Sequence, residues 1–188
     1  MSNFMKKNFY KQREYFEKSA AVRDKKFSFP DGVVESRDIP YIADGQKEHL
    51  MDVYRPQGKE NETLPVIINI HGGGLLIGNK EFNRYFCARL CLLGYVVFSV
   101  EYRLVPDCSV YDQFSDVSTA MTFIRDNLSS YGGNPDKIYV LSGKPLGDDS
   151  GVEKLDNVIC TGYVSDSEAR ALMQYCRAFL FPSTYEGF

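Results

Sequence analysis

The chain has 188 residues, 44% of them hydrophobic and 25% charged, a balance that suits a packed globular core and argues against disorder. With 22 basic and 25 acidic side chains the net charge is −3 and the basic residues are scattered along the sequence, so no nucleic-acid footprint is expected. The longest apolar run, Cys91 to Val100, is interrupted by Gly94 and Ser99 and falls well short of the roughly 20 residues that cross a bilayer, so no membrane span is expected.

Residues 3 to 26 have helical composition, with Met5, Phe9 and Phe16 on roughly one side and charges elsewhere. This predicts a helix that packs on the following domain or caps a pocket in it. Lys6, Lys7, Lys11, Arg13, Lys18, Lys25 and Lys26 are mixed with acids and aromatics, without the continuous apolar stretch of a secretion signal, and a cytoplasmic protein is expected. Five cysteines without a C-x-x-C pair fit reduced, packed thiols better than a disulfide framework. Cys87 and Cys91, four apart on an expected helix, read as buried rather than as metal ligands, and no metal or other cofactor is implied.

Two extended segments follow, Val33 to Tyr41 and His49 to Arg55, separated by the turn signal Asp44-Gly45, which predicts an antiparallel hairpin. Leu64 to Ile70 is short, β-branched and almost wholly apolar, the pattern of a strand covered on both faces, and it runs into His71-Gly72-Gly73-Gly74. Phe82, Phe86, Leu90 and Leu93 recur at helical spacing up to Gly94, and Tyr95 to Val100 resumes as a buried strand, completing a βαβ unit. Phe114, Val117, Met121, Ile124 and Leu128 mark a second amphipathic helix, after which Gly132-Gly133-Asn134-Pro135 turns the chain into a strand over Lys137 to Leu141. Strands alternating with helices imply the α/β class, with a mostly parallel sheet and flanking helices on both faces.

Beyond Gly143 the texture changes. Lys144 to Asp156 is polar, Asn157 to Thr161 reads as a strand, Ser165-Asp166-Ser167-Glu168 matches a capping box, and Phe179-Leu180-Phe181 reads as a last strand. The sequence thus divides into an N-terminal helical segment (1–32), a central α/β domain (33–142) and a C-terminal βαβ fragment of Rossmann-like type (143–188).

A strand that delivers His-Gly-Gly-Gly into a loop has a chemical use. Glycines let several backbone N–H groups point at one spot, where negative charge develops on an acyl carbonyl oxygen. Together with Met51-Asp52-Val53-Tyr54-Arg55-Pro56, Glu101-Tyr102-Arg103-Leu104-Val105-Pro106 and Gly132-Gly133-Asn134-Pro135-Asp136-Lys137-Ile138, this motif resembles the esterase and lipase branch of the α/β-hydrolases related to hormone-sensitive lipase, over residues 33 to 142. The resemblance implies an oxyanion hole from the backbone of His71, Gly72, Gly73 and Gly74, with Gly72 and Gly73 as donors, His71 bracing the loop and Arg103 helping to hold it. It also implies a small acyl ester as substrate.

In that family the strand at Ile138 to Leu141 leads to a Gly-x-Ser-x-Gly nucleophile elbow, whereas this chain has Gly143-Lys144-Pro145-Leu146-Gly147. Proline has neither a hydroxyl to attack nor an N–H to donate, and Ser150, in Gly147-Asp148-Asp149-Ser150-Gly151, lacks the flanking glycines of an elbow. The only histidines, His49 and His71, both precede the elbow, while the family takes its general base from downstream. Weak or absent catalysis is therefore expected of these residues.

The final quarter resembles the donor-binding half of retaining GT-B glycosyltransferases, through Asn157 to Asp166, Cys176-Arg177-Ala178 and Phe179-Leu180-Phe181-Pro182-Ser183-Thr184-Tyr185-Glu186-Gly187-Phe188. That resemblance implies a donor-sugar contact at Glu186. A join near Leu141 to Lys144 is expected, whether of a natural fusion, an assembly artefact or a designed chimera. A hydrolase sheet truncated there and extended by a borrowed fragment would leave an exposed edge, a route to homo-oligomers.

Overall fold

The computed structural model describes residues 3–142. Pro145, Ser150, Glu186 and the expected C-terminal fragment lie outside these described residues. Helix α1 spans Asn3–Asp24, followed by strands β1 (Val33–Pro40), β2 (Leu50–Pro56) and β3 (Leu64–Ile70), helix α2 (Arg84–Leu92), strand β4 (Val96–Val100), helix α3 (Val110–Asn127) and strand β5 (Gly133–Ser142).

The described sheet has the order β1-β2-β4-β3-β5. The hairpin β1–β2 forms as expected, and β3 matches the sequence expectation residue for residue. The expected α/β sheet with flanking helices is present, but its pairing is mixed. β3 runs parallel to β4 and β5, whereas β2 joins both β1 and β4 antiparallel. β5 begins at Gly133, where a turn was expected, because Gly133 pairs with Leu64 before the register shifts toward Val66 and Ile138.

Side chains alternate across the strands and divide the core in two. Met51, Val53, Val66, Ile68, Val96, Phe98 and Val100 face one way and pack with Ala120, Ile124 and Leu128. Tyr54, Ile67 and Val97 face the other way and pack with Cys87, Ala88 and Cys91. Helices α3 and α2 therefore cover opposite faces, as the βαβ pattern predicts.

Both helices present only part of the face their large apolar residues suggest. On α2 the buried residues are Cys87, Ala88 and Cys91, small enough for close approach to the sheet, while Leu93 is 73% exposed and Phe86 also faces solvent. Burial pushes the Cys87 and Cys91 thiols up to about 12, so both are packing groups and not reactive thiolates. On α3 the expected Ile124 is buried, as is Leu128 just beyond the helix, but Gln113, Asp116 and Ala120 are buried with them and Phe114 is 64% exposed. The helix starts at a capping box in which Asp112 N–H donates to Ser109 Oγ (3.2 Å) and Ser109 N–H donates to Asp112 Oδ2 (2.8 Å).

These faces predict unequal effects of truncation. Ile124→Ala opens a cavity in the sheet–α3 interface and is expected to cost about 2–5 kcal/mol, whereas Phe114→Ala stays within about 0.5 kcal/mol. Urea unfolding of the two variants checks this, and equal losses would show that α3 packs with its large residues inward.

Candidate active site

The parallel pairing of β3 with β4 aligns Ile70 with Val100, so the next residues of both strands, His71 and Glu101, leave the same end of the sheet side by side. His71 Nε2 lies 2.8 Å from Glu101 Oε1, and the imidazole stacks on Tyr102 with centroids 4.4 Å apart and planes 12° from parallel. Tyr102 donates its hydroxyl to the His71 carbonyl at 2.7 Å. His71 Nδ1 is 3.0 Å from the Gly72 carbonyl. Both ring nitrogens face neighbouring oxygens of the loop and of Glu101, so neither is turned toward a nucleophile, and the contacts of His71 are those of a brace.

Glu101 does more than orient the ring. Its Oε1 also accepts from Tyr102 N–H at 3.1 Å, and its Oε2 accepts from Lys80 N–H at 2.9 Å. One carboxylate thus ties together both ends of the 71–80 loop. The sequence reading quoted Glu101 within a motif and gave it no role; the parallel register of the two strand ends was the signal that could have found it.

Between these anchors the backbone turns at glycines. Gly73 has φ +132°, and a Cβ there would sit 1.9 Å from the Ile77 carbonyl oxygen; at Gly78 (φ +105°) a Cβ would lie 2.5 Å from both the Gly72 carbonyl oxygen and His71 Nδ1. The Gly73 carbonyl accepts from Leu76 and Ile77 N–H, both at 3.1 Å. The N–H groups of Gly72, Gly73 and Gly74 have no acceptor among the described residues, and Gly72 and Gly74 are exposed. Unspent donors on a turn held from both ends are what a developing oxyanion requires.

The loop is supported from three directions. Behind it, Lys80 is buried with its ammonium 2.8 Å from carboxylate oxygens of Asp38, Asp52 and Glu81. Burial alone would lower the Lys80 pKa, but those hydrogen bonds outweigh it and hold the ammonium raised. From α3, Gln113 donates to the Leu75 carbonyl at 2.9 Å. Arg103 does not reach the glycine turn in any observed contact; its guanidinium pairs with Asp116 of α3 at 2.8 and 2.6 Å and so steadies the loop through that helix. Burial works against the Asp116 carboxylate, yet hydrogen bonds from Arg103 keep its pKa below the usual aspartate value.

From the N-terminal side, Arg13 of α1 donates to the Leu76 carbonyl (2.7 Å) and pairs with Asp107 (2.7 Å), while Phe16 packs on Phe82 at 4.7 Å. Phe9 and Phe16 face the body as expected, but Met5 is largely exposed. An open cavity of about 340 Å³ lies between α1 and the loop, lined by Lys11, Gln12, Tyr15, Phe16 and Ile77. None of Gly72, Gly73 and Gly74 lines it, so it borders the donor turn without containing it.

His49, the other histidine, is buried with Nδ1 2.7 Å from Asp44 Oδ2 and Nε2 3.4 Å from Asp116 Oδ1. Nδ1 is hydrogen-bonded to Asp44, Nε2 is buried without a hydrogen-bond partner among the described residues, and no hydrogen bond joins the ring to the glycine loop. Among the described residues no group of three or more His, Cys, Asp or Glu is placed to hold a metal ion, and no helix is long and apolar enough to cross a membrane.

A sheet whose parallel strand ends carry a braced His-Gly-Gly-Gly turn, flanked by helices, is the architecture of an α/β-hydrolase of the esterase class. More specifically, the chain belongs to the BD-FAE family, whose pattern matches residues 51–149. It is 33% identical over 111 residues to esterase LipQ of Mycobacterium tuberculosis (strain ATCC 25618 / H37Rv), covering 58% of this chain and 26% of that protein. It is 28% identical over 96 residues to an isoprenylcysteine alpha-carbonyl methylesterase of Arabidopsis thaliana, covering 51% of this chain and 22% of that protein. Among solved structures, the hyperthermophilic esterase of the archaeon Pyrobaculum calidifontis matches with a TM-score of 0.59 at 31% identity, covering 72% of this chain and 42% of that one. Esterase B from Lactobacillus rhamnosis matches with a TM-score of 0.64 at 25% identity, covering 72% and 44%. The chain spans about a quarter of the length of these curated relatives and less than half of the solved esterases.

The glycine geometry separates two neighbouring substitutions. A Cβ at Gly72 meets nothing within 4 Å, so Gly72→Ala is expected to stay within about 1 kcal/mol of the parent, while Gly73→Ala costs more than about 2 kcal/mol by strain and clash. Thermal unfolding of both variants checks the difference, and indifference to Gly73→Ala would mean that the turn has another conformation.

Proposed function

We propose that these 188 residues carry the oxyanion-stabilising half of a carboxylic ester hydrolase and hydrolyse esters weakly or not at all. The observation that carries the first part is the trio of unengaged N–H groups on the braced glycine turn. In an active relative of this design, such donors stabilise the tetrahedral intermediate as its oxygen gains charge, in a setting already organised before reaction.

The second part rests on residue chemistry. The family match runs to residue 149 and so includes Pro145; our reading of Gly143-Lys144-Pro145-Leu146-Gly147 puts proline where the elbow carries serine. Proline supplies neither nucleophile nor donor, and Ser150 lacks the glycine context that lifts a serine into reach. Residues 143–188 contain no histidine, and His49 and His71 are both committed to structural contacts, so no general base is positioned for a hydroxyl. A non-catalytic binding module for acyl esters, using the same donor turn without a nucleophile and base, is the companion reading.

The decisive assay is hydrolysis of p-nitrophenyl butyrate by the full chain, a Pro145→Ser variant and a mock purification. Background rates in both proteins are expected, because the variant restores a hydroxyl without a base. Turnover well above the mock and abolished by a fluorophosphonate would overturn the inactive reading and place an unexpected nucleophile in the chain.

Residues 143–188 support a second reading, carried by Phe181-Pro182-Ser183-Thr184-Tyr185-Glu186-Gly187-Phe188 and its resemblance to the donor half of GT-B glycosyltransferases. It predicts weak nucleotide-sugar binding that Glu186→Gln removes. Calorimetry with millimolar UDP-glucose and GDP-mannose tests it, and no heat beyond dilution from either would end it.

A further inference from the structure

Helix α1 has two unlike faces. Phe9, Arg13, Phe16, Ala20 and Arg23, spaced by three or four residues, are the half-buried stripe that docks on the loop and on Phe82. The opposite stripe, Phe4, Lys7, Lys11, Tyr15, Lys18 and Val22, follows the same spacing and is exposed throughout. Its apolar members are the least covered large hydrophobics of the helix, with Phe4 73%, Tyr15 76% and Val22 60% exposed. Among the described residues, no other segment covers them.

The charge of this stripe runs against that of the molecule. Residues 3–26 hold eight basic and three acidic side chains, a net of +5, in a chain whose net charge is −3, so the remainder carries −8. Basic residues scattered in sequence become a line when wound on a helix. Lys7, Lys11 and Lys18 alternate with Phe4, Tyr15 and Val22, and Lys25 extends the line in the turn that follows, where its N–H still donates to the Ala21 carbonyl at 3.3 Å. Glu14, at the rim, pairs with Lys18 at 2.6 Å.

We propose that the outward face of α1 lies flat on an anionic phospholipid surface. From Phe4 to Val22 the stripe is about 27 Å long and one residue wide. It forms a low ridge of separated apolar side chains, which inserts at the headgroup boundary of a bilayer more readily than it fills a protein groove. The lysines supply attraction to acidic headgroups, and their aliphatic stems add apolar contact beside the rings. The acidic remainder of the chain is repelled by the same surface, which sets the orientation with α1 downward. Lys11 and Tyr15 also line the cavity beside the glycine loop, so docking in this way brings that cavity to the lipid. The inference does not rest on ester hydrolysis, and its test reads binding alone.

The test is cosedimentation of the full chain with vesicles of phosphatidylcholine alone, and with vesicles containing about one-third phosphatidylserine, at low and at physiological salt. Binding to the anionic vesicles at least about tenfold tighter than to neutral ones is expected, weakening as salt shortens the screening length. The combined Lys7→Glu, Lys18→Glu and Lys25→Glu variant is expected to lose that binding, and Phe4→Ser with Val22→Ser to weaken it several-fold at the same salt; circular dichroism melts show that each variant keeps its fold. The lipid and salt comparisons on the unaltered chain stand even where a variant fails to fold. Absence of vesicle binding, equal binding to both lipids, or undiminished binding of the folded lysine variant would overturn the proposal. Capture by poly-glutamate without capture by vesicles would also overturn it, in favour of an acidic polypeptide partner.

Discussion

The site depends on one carboxylate. Glu101 emerges from β4 beside His71 only because β3 and β4 are parallel and in register, and from there it accepts from the imidazole, from Tyr102 N–H and from Lys80 N–H. Charge-assisted hydrogen bonds in a poorly hydrated setting are the stronger kind, and here they span both ends of a ten-residue excursion. With those ends fixed, the glycine turn between them has few conformations left, and its donors stay unspent.

The surrounding elements reinforce this closure with polar contacts that the apolar core could not provide. On the α2 face, Asn69 donates to Ser99 (3.2 Å), Asn83 donates to Asn69 (3.2 Å) and Ser99 donates to the Lys80 carbonyl (3.0 Å), which fastens the segment after the loop to the sheet. On the other face, Arg103–Asp116 and Gln113–Leu75 set the position of α3, and Arg13 links α1 to the Leu76 carbonyl. Most polar groups on these buried surfaces answer another, as burial requires, while Gln113 Oε1, Asp52 Oδ2, Tyr54 OH and His49 Nε2 are buried without a hydrogen-bond partner among the described residues. The two core clusters supply most of the stability, and the polar contacts fix the geometry.

The strands were legible because each is a short apolar run with turn residues at its ends; Leu64 to Ile70 needed only β-branching and a glycine stop. Helix positions were legible too, but their buried faces only in part: Ile124 and Leu128 are buried as their spacing suggests. Hydropathy spacing favoured Phe86, Leu93 and Phe114, whereas close packing selected Cys87, Ala88 and Cys91 on α2, and specific partners brought Gln113 and Asp116 inward on α3. A polar residue becomes a core residue only when its hydrogen-bond partner is known, and the partner lies in another element. His71 and its glycines announced the site directly. Glu101 stood within a recognised motif, but its role follows from strand register, which single-residue patterns do not encode.

Family membership and geometry agree on an ester-hydrolase scaffold, and the account turns on whether the glycine turn offers its N–H groups to an oxyanion. Proton–nitrogen correlation spectra of the glycine-labelled chain, titrated with butyrate, test this most directly. The account predicts progressive shifts of the Gly72, Gly73 and Gly74 amides in the unaltered protein and their loss in Glu101→Ala, with remote glycines such as Gly45 and Gly58 unmoved. Amides of the turn that ignore the anion, or that respond equally without Glu101, would contradict it.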